Sequence, residues 1–236
     1  MKQSVAETMI ESGISPLELF EYPVLSCSDG AEQGIFTELC INSLELGVLC
    51  PAQYRVVTNR NIQSIRLCTW AFRRIVPLLR ERDGGWISFY IPAKALMRDH
   101  LRKLLESEQK KAPVDFSGLV AELSSEILYE DAEKASEKMT ELNKEFGIRF
   151  MLSEFGDEYC PVLRLPQYPV DFVLLDSSVN SEEALGSSSV ASCVKLAKQC
   201  GKKVLLRSRL PENVKAREAS PDYYIPENPK EKRRDG

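Results

Sequence analysis

Apolar positions along this chain keep two rhythms, and the places where one gives way to the other predict its elements. A period of two marks a strand with one buried face, and recurrence at three and four residues marks an amphipathic helix. Phe20 to Ser26 reads as a strand, with Pro23 suited to an edge or first position. Ser28-Asp29-Gly30 supplies a turn and Gly34 to Ile41 a second strand, so these two form a hairpin. Ile65, Cys68, Phe72, Ile75 and Leu79 then predict a helix over Asn61 to Glu81. Pro77 either kinks that helix or frays its last turn, and Asp83-Gly84-Gly85 ends it.

The same alternation of rhythms continues. Trp86 to Ile91 is a third strand, Ala93 to Glu108 a helix, and Gln109 to Asp115 a polar linker with Pro113. Leu119 to Leu123 is a fourth strand. Its following helix buries Ala135, Met139, Leu142 and Phe146 and is capped by Gly147. Strands five to seven are Ile148 to Leu152, Asp171 to Leu175 and Lys203 to Ser208, and Tyr223 to Ile225 is a short eighth. Val190, Cys193, Val194, Ala197 and Cys200 line a helix between the last long strands, stopped by Gly201 and capped from Ser187-Ser188-Ser189.

Strand–helix units spaced in this way indicate a parallel α/β sheet. Eight strand candidates favour a closed barrel, and a doubly wound open sheet is the alternative. The expected division is an N-terminal extension over residues 1–17, a barrel domain over 18–225 and a disordered charged tail over 226–236. Val5, Met9 and Ile10 in the extension suit docking to another protein or capping the barrel bottom.

Composition narrows the function classes. With 43% hydrophobic and 28% charged residues, the chain is ordinary for a soluble domain with a real core. A net charge of −4 argues against binding a nucleic-acid polymer through its phosphates. No apolar run approaches the roughly 18 residues of a membrane span. Glu7 and Glu11 interrupt the stretch a signal peptide would need. The seven cysteines lack C-x-x-C spacing and read as reduced core thiols, so the expected compartment is the cytoplasm. His100 is the single histidine, which removes His-rich zinc sites, and its amphipathic surroundings predict a solvated helix face. Trp70 and Trp86 are expected in the core, and Lys230 to Arg234 as a solvated tail.

Strand four ends in Leu119-Val-Ala-Glu-Leu-Ser-Ser-Glu-Ile-Leu-Tyr-Glu-Asp131, a buried strand running into acidic and hydroxyl groups. In parallel barrels that strand end is where chemistry is placed. The segment resembles the strand-four motif of EAL domains, bacterial phosphodiesterases of cyclic di-GMP. Glu154-Phe155-Gly156, Pro169-Val170-Asp171-Phe172 and Asp176-Ser177-Ser178 follow in the family's order and spacing, and the resemblance spans Glu18 to Leu210. It implies an EAL-type modified TIM (β/α)8 barrel whose first strand is antiparallel, with truncation at its C-terminal end as an open alternative.

An active EAL enzyme uses carboxylates and an Asn to hold two divalent metals, Mg²⁺ or Mn²⁺, which activate the attacking water. By resemblance the motif Glu of strand two falls at Thr37, or at Glu38 if the register slips by one. The Asn falls at Tyr90 and the strand-four ligand at Glu122, and the second Glu there becomes Ser125. The paired aspartates become Ser153 and Glu154, the strand-six Lys becomes Leu174 with Asp176 kept, and the strand-seven Glu becomes Arg207. Glu122 is therefore the one ligand position kept outright, and Arg207 is expected to neutralise Glu122 and Glu154 as an ion pair. Ser124 and Ser125 are expected to cap the next helix, with Glu126, Glu130 and Asp131 favouring its N-terminus.

The expected function is that of a degenerate, catalytically inactive EAL-like domain. It would act in bacterial signalling through an unidentified protein partner, with no cofactor and with homodimerisation as an option. One alternative is a receptor that binds cyclic di-GMP without cleaving it. The family's strand-two Arg falls at Ile41 in that reading, and Arg207 or Arg209 would have to compensate. The other alternative is residual phosphodiesterase activity with Mg²⁺ or Mn²⁺ on Glu38, Glu122, Glu154 and Asp176.

Overall fold

The computed structural model describes residues 16–43, 46–58, 63–157, 160–176, 188–208 and 220–226. Its first two strands, β1 (Leu17–Ser26) and β2 (Glu32–Ser43), pair antiparallel across the expected Asp29-Gly30 turn. Gly30 adopts φ +74°, a left-handed conformation that glycine takes without a Cβ penalty. A three-residue strand, β3 (Gly47–Leu49), adds to the end of β2. It is too short to carry a readable alternation.

From β2 the sheet continues parallel through β4 (Trp86–Ile91), β5 (Leu119–Leu123), β6 (Arg149–Phe155), β7 (Phe172–Leu175), β8 (Lys203–Ser208) and β9 (Tyr223–Pro226). β9 pairs antiparallel with β1 at Leu25↔Tyr224 and Ser26↔Tyr223, which closes an eight-stranded barrel with β3 as the added ninth strand. The open-sheet alternative is thereby excluded, and the last barrel strand is present.

Alternation along the strands splits the apolar residues into two layers. Tyr22, Val24, Phe36, Trp86, Val120, Met151, Phe172, Leu174, Leu205 and Ile225 fill the lumen, where the Trp86 and Phe172 rings lie 5.1 Å apart. Gly34 is what lets this layer close: a Cβ there would come within 2.5 Å of both the Trp86 ring and its carbonyl oxygen. The opposite faces, including Ile87, Phe89, Leu119, Ala121, Phe150 and Val204, pack against the helices.

Those helices are α1 (Pro51–Thr58), α2 (Gln63–Glu81), α3 (Ala93–Met97), α4 (His100–Lys111), α5 (Ala132–Phe146) and α6 (Ser188–Gln199). α2 continues through Pro77 to Glu81. The single helix expected over Ala93 to Glu108 is two, broken where Asp99 takes φ +57°. Asp and Asn are the residues other than glycine that most readily tolerate this conformation. The break lets the Asp99 carboxylate pair with Lys138 of α5. It also sets His100 at a helix start, half-buried and 2.9 Å from the Thr69 hydroxyl of α2, instead of on a solvated face. Burial holds the imidazole below its usual range. Trp70 is half-buried with the Arg74 guanidinium over its ring, whereas Trp86 is the core residue expected.

A 3₁₀ turn over Ser125–Tyr129 separates β5 from α5, so the cap falls later than expected. Asp131 accepts the Lys134 N–H at 3.0 Å as N-cap of α5, and neither Ser124 nor Ser125 caps it. Gly147 ends that helix at φ +76°. All seven cysteines are free. Among the described residues no helix is long and apolar enough to cross a membrane. Residues 1–15, the 187–189 cap and the tail beyond 226 lie outside the described residues, apart from Ser188 and Ser189 at the start of α6.

Candidate functional site

The parallel strands bring their C-terminal ends to one rim, and side-chain parity decides which residues reach it. Phe36 belongs to the lumen layer, so Glu38, two residues on, shares its face, and Thr37 does not. The Thr37 hydroxyl instead donates to the Ser88 carbonyl oxygen at 2.6 Å, and its N–H donates to Ser88 Oγ at 3.3 Å. This settles the register left open by sequence: Glu38 is the lumen carboxylate of β2. With that register the position four residues further, on the same face, is Asn42 and not Ile41.

By the same parity Tyr90 on β4, Glu122 on β5, Ser153 on β6, Leu174 on β7 and Arg207 on β8 share the lumen face. Glu38 and Arg207 form an ion pair at 2.8 Å, with side chains 9% and 25% exposed. The Arg207 guanidinium lies over the rings of Tyr22 at 5.0 Å and Phe36 at 5.6 Å. Arg207 thus pairs with Glu38 and not, as the sequence leads one to expect, with Glu122 and Glu154. The correction follows from the closed barrel, in which the β1–β2 hairpin returns to face β8.

Glu122 has a different partner, Arg55 of α1. Arg55 Nη1 lies 3.1 Å from Glu122 Oε1, and its guanidinium sits 3.5 Å above the centre of the Tyr90 ring. Burial pulls this guanidinium toward neutrality, but Glu122, Tyr90, Tyr54 and Glu154 outweigh it, so Arg55 is held more firmly protonated than usual. The neighbouring Tyr54 hydroxyl donates to the Leu39 carbonyl, which anchors α1 to β2. Arg55 was missed in the sequence because α1 is only eight residues long. Pro51 at its first position was the available signal.

Glu154 closes the group. It takes φ +59°, an uncommon conformation for a residue with a Cβ, as β6 turns toward Gly156. Burial raises its carboxyl above the usual range; Arg55 opposes that, and Glu122 and Asp176 add to it. Asp176 leaves β7 with its N–H on the Phe155 carbonyl at 3.0 Å. Ser153 donates to the Leu123 carbonyl at 3.3 Å, so it serves the strand end. Arg209 lies outside the described residues.

This donor set does not fit a two-metal centre. Two carboxylates, Glu38 and Glu122, each carry a guanidinium, the Tyr90 ring is covered by Arg55, Leu174 supplies no ligand, and Ser153 is committed to a carbonyl. Among the described residues no group of three His, Cys, Asp or Glu side chains is arranged to hold a metal ion. The cavity between α1, α2 and β2, lined by Thr37, Tyr54, Arg55, Ser64, Cys68 and Tyr90 among others, is about 20 Å³, room for one water.

Compared with known proteins, the chain matches the EAL domain family over residues 17–207. No curated protein matches it. Among solved structures it is similar to the PaMucR phosphodiesterase in complex with c-di-GMP, at 17% identity, 93% of this chain, 92% of that chain and a TM-score of 0.74. The FimX EAL domain from Pseudomonas aeruginosa bound to c-di-GMP is similar at 15% identity, covering 94% and 92% with a TM-score of 0.75. The cGMP-bound EAL enzyme Bd1971 is similar at 18% identity and a TM-score of 0.75, with 93% of this chain but 63% of that chain covered. At such identities the likeness shows the fold.

Proposed function

The chain belongs to the EAL domain family, and we propose that it is a non-catalytic member, acting in signalling by contact with another protein. The observation that carries this reading is the pairing of both lumen carboxylates with arginines, Glu38 with Arg207 and Glu122 with Arg55. A two-metal hydrolase needs those oxygens free to bring two dications together and activate a water between them. Here the neutralising charge is supplied by the chain, and a guanidinium activates no water.

Contact with a partner is supported by apolar side chains beside the same rim. Tyr129 is 63% and Leu163 81% exposed, on 3₁₀ turns joined by hydrogen bonds from Arg164 to the Leu128 and Glu130 carbonyls. Apolar exposure of that size on adjoining turns suits association better than isolation.

The test is calorimetric titration of the purified domain with cyclic di-GMP, with and without Mg²⁺, beside a hydrolysis assay. No heat and no turnover is the expected result. Binding without turnover would make this a receptor of the nucleotide, the ligand of the PaMucR and FimX structures, with Arg207 and Arg209 the first residues to change. Metal-dependent turnover that Glu122→Ala abolishes would overturn the reading.

A further inference from the structure

A solvated helix face intersperses both signs of charge, and two helices of this barrel do so. α5 alternates Glu133, Lys134, Glu137 and Lys138, and α4 mixes Arg102 and Lys103 with Glu106 and Lys110. α2 differs. Before Glu81 its charged residues are Arg66, Arg73, Arg74 and Arg80, with no lysine and no acid among them. All four are exposed. Among the described residues none of them has an ion-pair partner. Arg66, Arg73 and Arg80 stand seven residues apart, two turns of helix, so they share one face. At about 100° per residue, the half-buried Trp70 and the exposed Pro77 fall within about 40° of the same line, which runs about 21 Å along the axis. Arg74 stands beside it with its guanidinium 5.1 Å from the centre of the Trp70 ring. The choice of arginine matters, because its planar fork takes both oxygens of a carboxylate and sheds water more readily than an ammonium.

We propose that the outer face of α2 is a docking surface for an acidic helix of a partner protein. Carboxylates of that helix, repeating at the same seven-residue interval, meet Arg66, Arg73 and Arg80, and an apolar side chain between them rests on Trp70 and Pro77. The complementarity is one of sign and of spacing together. A lipid surface is a poorer match, because helix binding to lipid grows with the apolar area inserted. The exposed large apolar side chains among the described residues, Leu46, Tyr129 and Leu163, all lie off α2. A nucleic-acid polymer is a poorer match as well, since it would run past the helix onto a chain of net charge −4. A helix of matching length keeps its charges near the arginines, within a Debye length of about 8 Å. The inference goes beyond the non-catalytic reading and does not rest on it: α2 packs on the outside of the barrel through Cys68, Phe72 and Ile75 and takes no part in the lumen ion pairs.

The probe is a fluorescein-labelled helical peptide of about three heptads, made of Ala, Leu and Glu with Glu at two positions of each heptad. Anisotropy with the full chain should show saturable one-to-one binding that weakens as salt rises from about 50 to 300 mM. Arg73→Gln combined with Arg80→Gln should weaken it about tenfold, the scale of two exposed charge pairs lost together. Lys110→Gln combined with Lys134→Gln removes the same charge from α4 and α5 and should leave it unchanged. Trp70 emission should shift on binding, a shift that Trp70→Phe abolishes while the buried Trp86 stays silent. No binding by the wild type, or equal loss in the two double variants, would overturn the proposal. So would tighter binding of phosphatidylserine vesicles or of an oligonucleotide through the same arginines. Self-association of the wild type that Arg73→Gln with Arg80→Gln abolishes would give the face to a second copy and likewise overturn it. Should that double variant fail to fold, Arg66→Gln and the Trp70 signal decide: unchanged binding with no shift refutes the docking face. Turnover of cyclic di-GMP would sink the non-catalytic reading and leave all of these outcomes as they stand.

Discussion

Replacing Arg207 with alanine tests the claim that guanidinium groups hold the lumen together. The Glu38 side chain is 9% exposed and its partner 25%, 2.8 Å apart. Removing one member of a fully buried pair costs about 3–5 kcal/mol, because the other charge stays behind without compensation. A quarter-exposed arginine is partly screened, which brings the electrostatic part to about 2 kcal/mol. Loss of its stacking on Tyr22 and Phe36 adds roughly 0.5–1 kcal/mol. Arg207→Ala should therefore lose about 3 kcal/mol, read as a fall in the urea midpoint at unchanged slope. In a double-mutant cycle Glu38→Gln should recover most of the electrostatic loss. The apolar pair Glu38→Leu with Arg207→Leu should come near the wild type, as replaced buried ion pairs often do. A loss below about 0.5 kcal/mol in Arg207→Ala, or no coupling in the cycle, would refute the argument, since surface pairs behave that way.

Other expectations follow from single contacts. Gly34→Ala should cost about 3 kcal/mol by thermal or urea unfolding, because its Cβ meets the Trp86 carbonyl, which cannot turn aside as a side chain could. Burial raises the folded-state pKa of Glu154 above its ordinary 4.5, so the folded chain holds that proton more tightly than the unfolded one. Stability then falls as pH rises from the unfolded pKa through the folded one and stays lower above it. Glu154→Gln should flatten that fall and gain stability at pH 7, checked by urea midpoints at pH 4.5 and pH 7; parallel profiles would contradict it. Adding Mg²⁺ or removing divalent ions with a chelator should move the melting temperature by less than about 1 °C. A site saturated a hundredfold over its Kd would add about 2.7 kcal/mol and move it by several degrees.

The barrel was legible because its strands repeat a simple rhythm and its turns carry glycine at the places that need it. The antiparallel start followed from Asp29-Gly30 alone. The rim was only half legible. Glu122 can be placed from its strand, yet the sequence leaves the choice between Thr37 and Glu38 open, and the place of Phe36 in the lumen layer with Trp86 and Phe172 decides it. Parity counted from Gly34, forced by its contact with Trp86, would have given the same answer had the pairing been known. Arg55 stayed hidden for another reason. A contact between residues 55 and 122 leaves no local pattern, and the helix bearing it is too short for periodicity to register. The break at Asp99 was masked because apolar spacing runs on through it from Met97 to Leu101.

The two ion pairs are best understood from what the rim of this barrel demands. Glu38 and Glu122 are buried at their strand ends, and a buried carboxylate must meet a positive charge or give up its own. Glu38 and Glu122 lie on non-adjacent strands, β2 and β5, with β4 between them, so no single monovalent side chain need serve both. The chain meets the demand from two directions: Arg207 rises from β8 across the lumen, and Arg55 comes down from α1 outside it. Each arginine ties its carboxylate to a second element, the β1–β2 hairpin to β8 in one case and α1 to β5 in the other. With its charge compensated by the chain itself, the order of this rim depends on folding. On the non-catalytic reading proposed above, a rim ordered in that way presents a constant surface to a partner whatever the divalent-ion supply.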